Sequence, residues 1–377
     1  MKQEKEAPTL ENISVNDNVQ VYCDVEKTYL DAKVLEIKEN EITKEKIYYI
    51  HFLNLEKRMD KWVEQHYVSK NYGHCNYSLD GSKFINHQLM TETAVLTRKK
   101  AALFLNETEK EEEGEEKVKI RNIEKIIIGY YSIEAWYYSP YPSNFTLQKI
   151  LYICEHCLKY FKYKNTLIRH LKVCQYLDPP GKKIYEMRIS PDKSTSKKEN
   201  RISDSISIYE VKGNEQKLFC QNLCLIAKLF LDHKSIYFDV SPFKFYILYE
   251  KDKNGFHIVG YFSKEMSDSS EFNLSCIMIL PPFQRKGYGQ FLISLSYYLS
   301  NKLHKISSPE TPLSDLGKLS YKSYWTITIL DSLLKNKGLL NIQNINIKHI
   351  EEFLRKKKES KKSHIKFDPQ FYIEDNK

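Results

Sequence analysis

Four residues in the middle of the chain have the types and the spacing of a zinc site. The pattern is Cys-x2-Cys-x12-His-x3-Cys, and its members are Cys154, Cys157, His170 and Cys174. Thiolate and imidazole ligands in two close pairs suit tetrahedral zinc. We therefore predict one structural zinc ion that stabilises the local fold. A finger that reads DNA is the alternative, although such fingers normally occur in arrays that follow the groove.

A second chemical motif is a glycine-punctuated turn between an apolar strand and a helix. The turn, QRKGYGQ at Gln284–Gln290, directly follows the apolar segment Cys276–Leu280. Free backbone N–H groups at a helix start bind anions, and glycines let the backbone approach a pyrophosphate closely. The turn lacks the ending of a P-loop and the third glycine of a dinucleotide fingerprint. Its form, Q/R-x-x-G-x-G, fits instead the pyrophosphate loop of acetyl-coenzyme A-dependent N-acetyltransferases.

The elements that position these motifs fall into two predicted domains. Short apolar strands between Val15 and Val68 predict a small β-barrel. After it, we predict strands at 126–128, 136–138, 237–240, 245–249, 257–261 and 274–280, and helices at 216–231 and 289–299. The predicted domains are a flexible N-terminus (1–12), a barrel (13–72), a charged linker (73–118) and a second domain (119–377) with its zinc finger at 152–176. The polar segment 190–205 is predicted to be a surface insertion.

Composition limits the class of protein without naming its partner. The 377 residues carry 58 Lys+Arg and 49 Asp+Glu, a formal net charge of +9 that favours anionic partners. Eight cysteines without a secretory signal indicate thiols or metal ligands in a reducing compartment. The chain contains no uninterrupted run of 18 apolar residues, so we predict no plain transmembrane helix and expect no membrane partner.

Longer stretches of the chain resemble a known family. They are LPPFQRKGYG at Leu280–Gly289, KLFCQNLCLIAKLFLDHKSIYFDVSPF at Lys217–Phe243 and SPETPLSDLGKLSYKSYW at Ser308–Trp325. These stretches resemble the MYST family of histone acetyltransferases, and the zinc knuckle lies where that family places its own. The segment IHFLNLEKRMDKWV at Ile50–Val63 resembles the family's chromo-barrel, or Tudor-knot, domain. This order of domains is similar to that of the esa-type and tip-type enzymes.

The resemblance implies an α+β fold, with an N-terminal SH3-like barrel and a MYST-type, GNAT-like acetyltransferase domain. It implies acetyl transfer from acetyl-coenzyme A to lysine Nε on nucleosomal histone tails, in the nucleus and within a multisubunit complex. In the barrel, Tyr22, Tyr49, Phe52 and Trp62 are candidates for a methyl-lysine cage, and the alternative is that these rings fill the barrel. Contact of the barrel with nucleic acid is a further expectation.

The resemblance also assigns roles to individual residues. Glu310 matches the general base, which is needed because a free lysine amine has a pKa of about 10.4 and arrives protonated. Cys276 matches the active-site cysteine, which either carries the acetyl group or lines the site; we expect direct attack by the amine. Lys234 matches the lysine that the family acetylates on itself. The matching cofactor contacts are Ile277, Met278, Ile279, Gln284, Arg285, Lys286, Gly287, Tyr288, Gly289, Gln290, Ser314 and Ser323.

The chain departs from the family pattern at Thr311, where Lys or Arg is usual, and at Asn54, where Asp or Gly is usual. Three other functions stay open at this point: a chromatin reader with a degenerate catalytic domain, an acetyltransferase for small amines or non-histone proteins, and a zinc-finger regulator that binds DNA. The basic cluster at 355–362 is compatible with nuclear import.

Overall fold

The computed structural model describes residues 13–23, 28–40, 45–69, 120–176, 178–189, 204–267, 270–335 and 365–373. The chain divides into two compact units, residues 1–119 and 120–377. The expected charged linker, nearly all of the expected surface insertion and the basic cluster at 355–362 lie outside the described residues.

The first unit contains a five-stranded antiparallel sheet with the order β4-β3-β2-β1-β5. Its strands are β1 (Asn18–Cys23), β2 (Thr28–Glu39), β3 (Lys46–Phe52), β4 (Lys61–Glu64) and β5 (Val68–Ser69). Short 3₁₀ turns at Lys57–Met59 and Gln65–Tyr67 flank β4. Alternating apolar side chains from these strands, such as Val19, Val21 and Ile50, form one buried core. The expected barrel is therefore present.

The four aromatic rings expected around a methyl-lysine do not form one group. Phe52 is 4% exposed and packs in the barrel core. Tyr49 lies on the opposite face of β3, because side chains alternate along a strand, and its ring centroid is 5.3 Å from that of Trp62. Tyr22 packs instead against Tyr29, with ring centroids 5.3 Å apart. The alternative, that a ring fills the barrel, is correct for Phe52.

The second unit is built on two main sheets. A four-stranded sheet, ordered β7-β6-β8-β9, carries the finger segment. Its strands are β6 (Lys125–Ile128), β7 (Tyr131–Glu134), β8 (Ile150–Ile153) and β9 (Tyr160–Phe161). A five-stranded antiparallel sheet has the order β10-β11-β12-β13-β15. Its strands are β10 (Lys182–Arg188), β11 (Ser205–Lys212), β12 (Phe243–Asp252), β13 (Gly255–Glu265) and β15 (Cys276–Ile279).

Two short strands and five helices complete the described part of this unit. The strand β14 (Phe272–Leu274) pairs in parallel with β16 (Ser308–Pro309). The helices are α1 (Ser143–Thr146), α2 (Lys164–Leu171), α3 (Lys217–Lys228), α4 (Tyr288–Lys302) and α5 (Asp315–Lys335). Short 3₁₀ turns lie at Pro281–Phe283 and Pro369–Phe371. None of the helices in the described ranges is long and apolar enough to cross a membrane.

Helices α3 and α4 bury apolar faces in the core that they share with the five-stranded sheet. On α3, the side chains of Phe219, Leu223 and Ile226 are at most 2% exposed. Complete burial of one such side chain contributes about 1.5–3 kcal/mol. This packing fixes the two helices that flank the expected site.

Two predicted strands are wrong. At 136–138, the backbone N–H groups of Trp136 and Tyr137 both donate to the Leu229 carbonyl just after α3, at 2.9 and 3.0 Å, instead of joining a sheet. At 237–240, the Phe238 carbonyl accepts a hydrogen bond from the Gln221 side chain of α3 at 2.7 Å. Both segments are loops that hydrogen-bond to α3 or to the residue that follows it, so their apolar character does not reflect a strand.

Candidate active site and metal centre

The four residues with metal-ligand spacing are brought together. The candidate ligand atoms of Cys154, Cys157, His170 and Cys174 all lie within 4.8 Å of one another. Sγ of Cys157 is 3.2 Å from Nε2 of His170, and Sγ of Cys154 is 3.8 Å from Sγ of Cys174. A hydrogen bond from Cys154 is the largest of the effects that lower the pKa of Cys157. Three thiols and one imidazole in this arrangement fit a closed tetrahedral zinc site.

A histidine that the sequence did not indicate joins this knuckle to the five-stranded sheet. His257 of β13 is 9% exposed; its Nδ1 is 3.1 Å from Glu155, between the first two cysteines, and its Nε2 is 2.9 Å from Asp252. The hydrogen bond with Glu155 is the main cause that raises the pKa of His257 to about 9. Glu155 also covers Gly129, where an added Cβ would lie 2.3 Å from its Oε2.

The glycine-punctuated turn lies between β15 and α4, as expected. Gly287 is the N-cap residue of α4 and has φ +98°, a left-handed conformation that glycine adopts without strain. Arg285 also has a positive φ of 64°. The Gln284 side chain donates to the Ile279 carbonyl at 2.9 Å and so fixes the turn to the strand. The first N–H groups of α4, which a helix leaves without intrahelical partners, therefore follow a tightly curled segment, which is a suitable place for an anion.

Among the remaining expected cofactor contacts, Gln290 and Ser323 lie at the interface between α4 and α5. The Gln290 amide of α4 donates to Ser323 Oγ of α5 at 3.0 Å. Ser314 precedes α5, and its Oγ accepts the Gly317 N–H at 3.1 Å. Ile277, Met278 and Ile279 lie on β15, the edge strand of its sheet, so one side of their backbone is outside the sheet ladder. Sequence segments separated by some 40 residues thus border the same turn.

Cys276 begins β15 and lies in a cluster of polar groups. Its Sγ is 3.4 Å from the Tyr261 hydroxyl, and the Lys234 ammonium is hydrogen-bonded to Sγ of both Cys276 and Cys224. Burial lowers the pKa of Lys234, but the two sulfurs raise it more, so the net shift is upward. Burial also raises the pKa of the Cys224 thiol to about 11. Lys234 is therefore a cation held between two thiols, and not the strand-edge lysine that the sequence alone permits.

Glu310 follows the short strand β16, whose pairing brings it near Cys276. Its backbone N–H donates to the Leu274 carbonyl at 2.8 Å, and Leu274 precedes Cys276 by two residues. The Glu310 side chain is exposed, as the acceptor side of a transfer site requires. The roles of Glu310, Cys276 and Lys234 stay predictions, although the fold brings their segments together.

Sequence reasoning missed Cys224, Tyr261 and the Glu155–His257–Asp252 group. Cys224 stands in the apolar face of a helix and Tyr261 in the apolar central part of β13, so both have the pattern of core residues. The sequence carried one signal for Glu155, because it is an acidic residue between the first two cysteines of the zinc motif. Its partner lies 102 positions away, which no local pattern indicates.

Three family models match this chain. The MOZ/SAS family matches residues 178–360, the MYST family zinc finger domain matches residues 120–174, and the Tudor-knot, described as the RNA binding activity-knot of a chromodomain, matches residues 15–70. The first two matches include the candidate active site and the metal centre, respectively.

Individual relatives agree with these matches. Histone acetyltransferase MOF of Drosophila melanogaster is 47% identical over 71% of this chain and 29% of that protein. Histone acetyltransferase of the MYST family 1 of Arabidopsis thaliana is 40% identical over 79% of this chain and 64% of that protein. The Histone acetyltransferase Tip60 homolog of Caenorhabditis elegans is 46% identical over 64% of this chain and 49% of that protein. The chain thus spans less than two thirds of the length of each of these relatives.

Proposed function

Because this chain belongs to the MYST family of acetyltransferases, we propose that it transfers acetyl groups from acetyl-coenzyme A to lysine Nε atoms of histone tails in nucleosomes. One observation carries the proposal. The parallel pairing of β14 with β16 brings Glu310 beside the strand that begins with Cys276 and leads into the turn at Gln284–Gln290. A carboxylate, a thioester-binding strand and an anion-binding helix start are the parts that acetyl transfer to an amine needs.

We propose that the substrate's pyrophosphate binds at the N-terminus of α4. The N–H groups after Gly287 and the positive end of the helix dipole favour that charge. The exposed side chains of Arg285 and Lys286 add two cations at the same turn. The pantetheine arm then runs along the edge strand β15, where backbone groups outside the sheet ladder can pair with it.

The acceptor lysine has to lose a proton before its nitrogen can attack the thioester carbonyl. Because the pKa of a free lysine amine is about 10.4, this amine is almost fully protonated at neutral pH. In the proposed step, the ammonium gives one proton to the Glu310 carboxylate, and the neutral nitrogen then forms the new C–N bond as the C–S bond breaks. The second proton of the nitrogen passes to the departing sulfur, so coenzyme A leaves as its thiol. Cys276 lines the site in this direct attack and forms no covalent intermediate.

We also propose that Lys234 is acetylated by the protein itself. Its ammonium is hydrogen-bonded to Cys276, at the strand where the thioester is expected to lie. Acetylation removes the positive charge between Cys224 and Cys276. Mass spectrometry of the purified protein tests this, and a Lys234 that stays unmodified after incubation with acetyl-coenzyme A contradicts it.

Location in the nucleus and membership of a multisubunit complex are further proposals. They are supported by relatives whose names describe histone acetyltransferases and by the match of the barrel to a chromodomain-type knot. An acetyltransferase for non-histone proteins is the alternative. Mass spectrometry of nucleosomes after incubation with the protein and acetyl-coenzyme A distinguishes the two.

The catalytic assignment is tested by Glu310→Gln, which keeps the size of the side chain but removes the base. We expect kcat to fall about 100- to 10,000-fold, while the Kd for acetyl-coenzyme A stays unchanged. Glu271→Gln is the matched control, because Glu271 is an exposed acid immediately before β14 with no proposed role. Full activity in Glu310→Gln, or an equal loss in the control, would show that the base is assigned wrongly.

A further inference from the structure

Three lysines stand side by side across three neighbouring strands of the five-stranded sheet. Lys212 of β11 is directly opposite Lys244 of β12, and Lys244 is directly opposite Lys264 of β13. Directly opposite residues in antiparallel strands point to the same face, so the three side chains form one row. We call Lys212, Lys244 and Lys264 the lysine row.

The charge of the lysine row is only partly balanced by carboxylates. Lys212 pairs with Glu215 at 2.7 Å, and Lys244 pairs with Glu210 at 3.1 Å. Lys264 forms no ion pair with a carboxylate among the described residues and is half-buried. Burial, and then the positive charges of Lys305 and Lys244, lower its pKa. Like charges in this arrangement reduce stability, so the row is not explained by folding.

The end of helix α4 accounts for only part of this arrangement. Cations are favoured within the last turn of a helix, and Lys305 follows α4 by three residues. Lys212 lies two strands from Lys264, about 10 Å away at the usual strand spacing, which is beyond the reach of that effect. The row is therefore an extended line of three lysines, and its positive charge exceeds the negative charge of the two paired glutamates.

We propose that the lysine row binds the phosphate backbone of duplex DNA. A row of about 10 Å corresponds to about three steps of 3.4 Å, the spacing of one strand's phosphates along the helix axis of DNA, so its three lysines can contact about three phosphates. Side chains of the row remain accessible, since those of Lys212 and Lys244 are 43% and 32% exposed. The side chain of Glu210 is less exposed than these lysines, at 20%, and it also accepts a hydrogen bond from Tyr246.

The choice of DNA rests on the proposed function, because a nucleosomal substrate brings DNA close to its histone tails. The row also ends beside the proposed transfer site. Ser263, the residue before Lys264, is directly opposite Cys276 in the pairing of β13 with β15, so the row and Cys276 lie at the same end of the sheet and on its two opposite faces. DNA bound along the row would therefore lie at the same end of the sheet as the transfer site, across the sheet from Cys276, and it would hold the nucleosome near that site.

The salt dependence of DNA binding gives the sharpest test. Each phosphate neutralised contributes about −0.9 to the slope of log K against log salt, so the lysine row contributes about −2.7. The experiment measures anisotropy of a labelled duplex of about 20 base pairs with the full chain, from about 50 to 200 mM salt. The variant replaces Lys212, Lys244 and Lys264 together by Gln, and we expect its slope to be shallower by about 2.7. Between these two salt concentrations, its deficit in affinity should then shrink about 40-fold.

A matched control separates the row from the net charge of the chain. Lys217, Lys253 and Lys322 are exposed and lie on separate elements, so their triple replacement by Gln removes the same charge without touching the row. We expect this control to keep the slope. A loss of slope in the control equal to that in the row variant overturns the proposal, as does an unchanged slope in the row variant. Replacement of the row by Arg should retain the slope.

Two further measurements separate DNA binding from a structural role and from a small-anion site. Lys264→Gln should leave Tm unchanged or raise it, because it removes repulsion, whereas a fall in Tm shows that the row is structural and overturns the proposal. If inorganic tripolyphosphate binds at the row while the DNA slope is unaffected by the variant, the row is a site for small anions and the DNA proposal is wrong. Acetylation of a free histone-tail peptide is assayed in parallel, so that failure of the proposed function is visible separately from failure of DNA binding.

Discussion

From the Glu155–His257–Asp252 group, we predict that the free energy of unfolding of the second unit falls as the pH is raised through about 9. His257 is 9% exposed and contacts a carboxylate on each side, Glu155 through Nδ1 and Asp252 through Nε2, while the ring of Tyr130 lies 5.7 Å away. The hydrogen bond with Glu155, ahead of the others, raises the pKa of His257 to about 9 from an ordinary value of 6.5. The folded protein therefore binds the proton more tightly than the unfolded chain does.

The sign and the size of the effect follow from this difference. Stability from the His257 proton is fully present below pH 6.5, the unfolded value, and is lost as the pH rises through the folded value of about 9. A shift of this size corresponds to about 3 kcal/mol, at about 1.4 kcal/mol for each pH unit. Burial is the largest single influence on Asp252 and raises its pKa, but the hydrogen bonds with His257 and Asn254 and the charge of His257 together lower it, in agreement with an ion pair.

The assay is urea unfolding of zinc-loaded protein at a series of pH values between about 6 and 10. We compare the protein with Glu155→Gln, which keeps the shape of the side chain but removes the charge that contributes most to the shift. The free energy of unfolding of the unchanged protein should fall by up to about 3 kcal/mol more than that of the variant. His304→Asn is the control, because His304 is exposed and Asn tolerates its positive φ of 55°. Parallel pH curves for the protein and Glu155→Gln would show that Glu155 does not hold the His257 proton.

Three other predictions concern the metal centre and the candidate active site. Cys157→Ser should lose the single zinc ion per chain and lower Tm, as measured by metal analysis and calorimetry. Cys23→Ser, in the barrel, should keep the zinc. A metal-free protein with an unchanged Tm would contradict a structural role for the zinc. Cys276→Ala should retain turnover at saturating acetyl-coenzyme A, and complete loss would indicate an obligatory acetyl-cysteine. Gly287→Ala should weaken acetyl-coenzyme A binding about tenfold, because the left-handed backbone costs a non-glycine residue about 1–2 kcal/mol. Gly255→Ala, at φ +124° with open space around it, should leave that affinity unchanged, and equal losses in both variants refute the role of the turn.

The local motifs were predictable because each lies within one short stretch of chain. Ligand spacing identified Cys154, Cys157, His170 and Cys174, and the structure brings their ligand atoms together. The glycine turn was identified in the same way, since a strand, a turn and a helix start are adjacent in sequence. Aromatic segments were less informative. The stretches around Trp136 and Tyr237 are loops that hydrogen-bond to α3 or to the residue that follows it, and apolar rings in such loops have the same pattern as rings in a strand.

Residue types and their order along the chain are therefore enough to identify the metal-site residues, the glycine turn, the barrel and, through the resemblance, the family. They do not indicate which distant groups become neighbours. Lys234 meets Cys224 and Cys276, His257 meets Glu155, and Lys212, Lys244 and Lys264 form a row only in the folded chain. Strand register and helix packing set these contacts, and both depend on burying side chains from the whole domain at once.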